Sequence, residues 1–96
     1  MKTLTTTAAV LLLASGCVHP TYQTPNAEVI DQGDGHVVSL TDVEGRMVVT
    51  QDNATVCDAD AQAAVGTCHL QPVTGLFDNV NVLVDGVVLW SGLVTQ

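Results

Sequence analysis

The sequence predicts a small, mainly β domain: a sandwich, an open barrel or a meander, with one short helical turn near 58–65. Three observations predict it. Short Val- and Thr-rich runs recur along the chain, and these residue types favour the pleated, half-buried surface of a strand. The runs are separated by Gly, Asp and Asn, which enter turn conformations at low cost. At 96 residues the chain has room for a single core, and with 3% aromatic residues that core must be built from Val and Leu.

Taken in order, residues 18–27 contain Pro20 and Pro25 and few apolar side chains. They read as a tether reaching on the order of 20 Å, with His19 and Tyr22 facing solvent or headgroups. Ala27–Ile30 is expected as the first strand, and the β domain is placed at 28–96. Asp31-Gln32-Gly33-Asp34-Gly35 is a turn. His36–Leu40 and Arg46–Gln51 are strands, and His36 at a strand start reads as a surface histidine. Thr41–Gly45 is expected to join them as a hairpin loop, with Gly45 supplying a positive φ. Thr55–Cys57 and Thr67–Gln71 are further strands on either side of an Ala-rich segment. Within that segment Asp58–Val65 has the marks of a two-turn helix: Asp58 as cap, Asp60 in the first turn and Gly66 at the end.

The C-terminal hairpin carries the strongest local signal. Asp85-Gly86 stands between Val80–Val84 and Val87–Leu93, the pattern of a two-residue type I′ turn. Simple alternation then pairs Val84 with Val87, Leu83 with Val88, Val82 with Leu89 and Asn81 with Trp90. It puts Val80, Val82, Val84, Val87, Leu89 and Leu93 on the core face. Leu83, Val88 and Trp90 fall on the other face as a candidate contact surface for a partner or a second copy, since aromatic anchors dominate interfaces. Packing of Trp90 beneath the cysteine loop is the competing expectation.

The N-terminus has a different character. Lys2 precedes a charge-free stretch, Leu4–Ala14, whose most apolar part is Ala8–Ala14. This is the layout of a secretory signal, and it is too short to span a bilayer as a helix. It runs into Leu13-Ala14-Ser15-Gly16-Cys17, which resembles the lipobox of bacterial membrane lipoproteins, with Ala14 where Leu is commoner. The resemblance covers these residues only, and no domain family is recognised in the rest.

It implies that residues 1–16 are a signal peptide, that Cys17 is lipidated as the first residue of the mature chain, and that its thioether-linked lipid and N-acyl group anchor the protein to a membrane. An ordinary signal cut nearby would instead leave Cys17 a free thiol. Val18 stands where lipoproteins of enterobacterial type carry Asp as an inner-membrane retention signal. By that resemblance the outer membrane is favoured.

Parity then bears on the other cysteines. With Cys17 taken by lipid, Cys57 and Cys68 remain, in a compartment that permits disulfides. A bridge is expected between them. A metal set of Cys57, Cys68 and His69 is the alternative, made awkward because adjacent strand residues point to opposite faces.

The charge balance narrows the function classes. All ten acidic residues follow position 17, where Arg46 is the single Lys or Arg, a net −9 for residues 17–96. Nucleic acid is not an expected partner, because phosphate binding needs a basic surface. Asp31, Asp34, Asp42 and Glu44 sit in turns, where such side chains serve the backbone. The start of a calcium loop at Asp58–Gln62 lacks its turn glycine, Ala63 standing there, and its bidentate acid, His69 standing there. Ser39 and Ser91 sit in no nucleophile pattern.

No catalytic, metal or cofactor residues are therefore expected. The expected function is that of a non-enzymatic interaction or structural module of the cell envelope. An acidic, tethered inhibitor or blocker of a basic enzyme or receptor is the alternative, similar in layout to small lipid-anchored lysozyme inhibitors, none of whose motifs is present.

Overall fold

A computed structural model describes residues 18–61 and 65–96. The expected signal peptide and Cys17 lie outside the described residues, as do residues 62–64 of the expected helix. The described chain forms eight strands: β1 (Val18–Gln23), β2 (Ala27–Asp31), β3 (His36–Thr41), β4 (Gly45–Gln51), β5 (Ala54–Ala61), β6 (Val65–His69), β7 (Phe77–Val84) and β8 (Val87–Thr95). They make two antiparallel sheets, ordered β1-β8-β7-β4-β5 and β2-β3-β6. The sheets pack face to face over one core and do not close into a barrel. The mainly β class is as the sequence predicts.

Alternation builds the core. Met47 and Val49 from β4, and Val80, Val82 and Val84 from β7, point inward, together with Trp90 and Val94 from β8. Ala27, Val29, Val38, Leu40 and Cys68 of the smaller sheet face them. A fully buried Val contributes about 1.5–3 kcal/mol, so these positions supply most of what so small a domain has to offset its ordering entropy.

The hairpin turn is as expected at its tip. Asp85 and Gly86 both have positive φ, and Val84 pairs with Val87 and Leu83 with Val88. Beyond that the register slips. Leu89 is an extra residue, so Val82 faces Trp90 and Asn81 faces Ser91. A bulge of this kind reverses the facing of everything after it. Trp90 therefore enters the core at 1% exposure and Leu93 turns to the outer face beside Asn79 and His19. Val87, expected in the core, precedes the bulge and is exposed beside the turn.

Three further expectations are corrected. Thr41–Gly45 is not a hairpin loop: β3 and β4 lie in different sheets, and the segment crosses between them with Val43 packed on the core. Asn26 holds its start by donating from Nδ2 to the Thr41 carbonyl, 2.9 Å. Gly45 does take a positive φ, but for another reason. A Cβ there would lie 2.7 Å from Cγ of Asp85, whose carboxylate accepts from the Arg46 N–H at 2.9 Å.

The expected helical turn is not formed where it is described. Residues 58–61 continue β5, and Val65 opens β6. An isolated two-turn helix is marginal, whereas pairing with β4 sets Arg46 opposite Asp60 and diagonal to Asp58 on the solvent face. Arg46 forms an ion pair with Asp58, and Asp60 lies 3.9 Å away.

The third correction concerns the tether. Val18–Gln23 pair with β8 instead of hanging free. Without them the nine-residue strand β8 would be an open edge. Pro20, which has no N–H to donate, is tolerated on this edge strand beside a bulge and opposite Gly92. Thr21 Oγ1 adds a bond to the Ser91 carbonyl at 3.0 Å.

Candidate functional site

The strand directions bring one set of features to a single end of the sandwich. Val18 starts β1 there, opposite Val94. Phe77 starts β7 there, opposite Thr95. The smaller sheet contributes the β2–β3 turn, in which Asp31 Oδ1 accepts from the Gly33 N–H at 2.8 Å. The segment Gln71–Leu76, which carries no charged residue, crosses from β6 to β7 over this end.

That crossing segment is held at several points. The Leu70 N–H donates to the His36 carbonyl at 3.0 Å. The Gln51 side chain clamps Gln71, donating from Nε2 to its carbonyl and accepting its N–H at Oε1, both 2.9 Å. Nε2 also donates to Asp78 Oδ2 at 2.8 Å, so the buried Asp78 carboxylate has a partner, as burial demands. Gln96 Nε2 donates to the Gly75 carbonyl at 2.7 Å. Immediately after these holds come Leu76, 86% exposed, and Phe77, 48% exposed.

Beside them is a hollow of about 220 Å³ bordered by Asp31, Asp34, His36, Gln71, Val73 and Thr95. His36 and Asp34 also border a second hollow of about 240 Å³. Both fall below the ~300 Å³ at which small-molecule sites begin. His36, expected on the surface, is instead buried, and its Nε2 has no hydrogen-bond partner among the described residues. No group of three His, Cys, Asp or Glu among the described residues could hold a metal ion. Asp31 and Asp34 lie at this end and Asp42 and Glu44 at the opposite one, so the four turn acids form no single cluster.

The expected bridge is present. Cys57 on β5 is bonded to Cys68 on β6, with Cα atoms 6.2 Å apart. It joins the edge strand of one sheet to the edge strand of the other. Cys68 is buried while the adjacent His69 is exposed, as alternation requires, and the alternative three-residue metal set does not form.

The expected contact surface is assembled only in part. Leu83 and Val88 pair directly on the outer face of the larger sheet, and Val48 extends them as an apolar row, opposite Leu83 on β4. Trp90 is not part of it. The bulge at Leu89 has turned its side chain to the opposite face. Across β4 from this row, Arg46 donates to Asp58 and its charge stands close by, which together hold that carboxyl below the usual range. Both side chains are about half exposed, so the pair adds little to stability.

Sequence reasoning missed two features. Asp52 and Asn53 both take positive φ and make the tight β4–β5 turn, a dipeptide chemistry that could have identified it. Nothing in the sequence signals the Gln51 clamp, because its partners Gln71 and Asp78 are distant in the chain. The chain matches no family model, no curated protein and no solved structure.

Proposed function

We propose that this chain is a bacterial lipoprotein precursor whose mature domain is held at the cell envelope by lipid on Cys17 and acts as a non-enzymatic interaction or structural module. The observation that carries the reading is the charge-free stretch Leu4–Ala14 running directly into Ser15-Gly16-Cys17. The Cys57–Cys68 bridge supports it in two ways. It accounts for both other cysteines, and it suits an exported protein. The outer membrane is favoured because Val18, not Asp, follows Cys17.

Activity through a surface is supported by what that surface offers. The row Val48, Leu83 and Val88 lies on the exposed side of the larger sheet, and both hollows are small. A second reading, blockade of a basic partner, is supported by the charges. Nine of the ten acidic residues are exposed, all but Asp78. Binding that weakens steeply with added salt distinguishes this second reading.

The test of the anchor is Cys17→Ser in the full chain, expressed in a bacterial host fed a fatty-acid probe. The native chain takes up label and sediments with envelope membranes. The variant takes up none and accumulates as uncut precursor. Equal labelling of the two chains refutes the reading.

A further inference from the structure

With β1 in the sheet, the distance from anchor to fold is one residue, not ten. Val18, the residue that follows Cys17 in the chain, is the first paired residue of β1. The neighbouring positions across the sheet are Val94 and Asp78, then Thr95 and Phe77 one step nearer the end. Two strand spacings of ~4.8 Å put Phe77 on the order of 10 Å from this point. Leu76 and Phe77 are adjacent large apolar side chains left exposed at this end, 86% and 48%, with Ile30 of the smaller sheet exposed to a lesser degree, 39%. The segment leading to them has no charge to desolvate, and the holds at Gln71 and Gly75 fix where it runs.

We infer that Leu76 and Phe77 form a second membrane contact, seated in the interfacial layer of the bilayer that holds the lipid on Cys17. The inference rests on the anchoring reading above. Leu and Phe are the side chains that enter the headgroup–acyl boundary in surface-lying proteins. Two such side chains bind weakly alone, but a lipid within about 10 Å makes their insertion an intramolecular step at high effective concentration. The domain then stands on this end and turns the Asp85-Gly86 hairpin tip away from the membrane. Asp31 and Asp34 on the β2–β3 turn, and Asp52 on the β4–β5 turn, border the same end. The surface it fits is therefore zwitterionic, since anionic headgroups would repel these acids.

The test uses the acylated full-length product in phosphatidylcholine vesicles whose acyl chains carry bromine, a short-range quencher of indole fluorescence. Leu76→Trp is compared with Val87→Trp, an exposed position at the opposite end. Trp90, 1% exposed in the core, is a common background measured in the unsubstituted chain. Bromolipid lowers the emission of the indole introduced at position 76 by roughly twofold, a depth consistent with interfacial insertion, and leaves that at 87 unchanged. Phe77→Trp, a smaller change of shape, serves as the second probe and responds in the same way. Equal quenching at 76 and 87, or none at 76 and 77 in vesicle-bound protein, overturns the inference. So does shielding of position 76 from aqueous iodide without lipid, which would mean that protein covers it. Intact mass read first separates the two ideas: a chain without acyl mass on Cys17 refutes the anchor itself.

Discussion

Replacing Trp90 by alanine removes the largest fully buried side chain of the domain. Its ring lies on the core face opposite Val82 and reaches Gly92 on its own strand, where an added Cβ would stand 2.8 Å from Cη2. Truncation of a buried aromatic costs about 3–5 kcal/mol, transfer and cavity terms together. A domain of about 80 residues has on the order of 4–12 kcal/mol in total at 0.05–0.15 per residue. Trp90→Ala therefore removes a quarter or more of it. At 4–8 °C per kcal/mol for this size, Tm falls by roughly 12–40 °C. The assay is urea unfolding followed by far-UV circular dichroism, because the variant has lost its indole fluorophore. The midpoint drops while the slope against denaturant stays near its original value, the sign that stability and not compactness has changed. An unchanged midpoint, with loss of self-association or of partner binding, refutes the reasoning and returns Trp90 to the surface.

Gly92→Ala is predicted to strip β1 from the sheet. Its Cβ would lie 2.6 Å from the His19 carbonyl and 2.7 Å from Cα of Pro20, both backbone atoms that cannot swing aside. Hydrogen exchange reports the change as loss of protection at backbone amides of β1 and of the β8 face that pairs with it, with β4 and β7 protected as before. Reduction of the Cys57–Cys68 bridge, or Cys57→Ser with Cys68→Ser, costs about 3 kcal/mol for a loop of this length in the chain-entropy treatment. Scanning calorimetry of oxidised and reduced protein measures it, and coincident transitions would show that the clasp contributes nothing.

The parts of the fold that were legible in the sequence are those set by local chemistry. Val- and Thr-rich runs mark β3, β4, β7 and β8, and Asp85-Gly86 marks the tip of the last hairpin because few pairs enter positive φ so cheaply. What was not legible depends on neighbours remote in the chain. Val87-Val88-Leu89-Trp90 is apolar at every position, so either facing satisfies the pattern, and the bulge that decides between them leaves no periodic trace. Gly92 is the residue that betrays the answer, since a side chain there would meet both the Trp90 ring and β1. Val18–Gln23 reads as a tether because a polar, Pro-containing segment is also what a protected edge strand requires. Asp58-Ala59-Asp60-Ala61 reads equally well as a helix start. Arg46 on the adjacent strand favours the extended form, and only the sheet order reveals that it is adjacent.

The candidate site was legible in a similarly divided way. The cysteine pair followed from parity, and Leu83 and Val88 followed from the hairpin. The end bearing Leu76 and Phe77 did not, because its meaning lies in β1 beginning beside it. The two sheets meet along two lateral seams, and each is covalently closed. The short β1–β2 connection closes one, helped by Thr24, whose N–H and Oγ1 both reach the Leu89 carbonyl. The disulfide between β5 and β6 closes the other. A sandwich clasped on both sides has little freedom to part its sheets, so binding between them is disfavoured. Surfaces open to a partner include the outer face of the larger sheet, crossed by Val48, Leu83 and Val88, and the end at Val18. If the lipid and the pair Leu76 and Phe77 commit that end to the membrane, the apolar row on the outer face stands clear of the bilayer and open to the rest of the envelope.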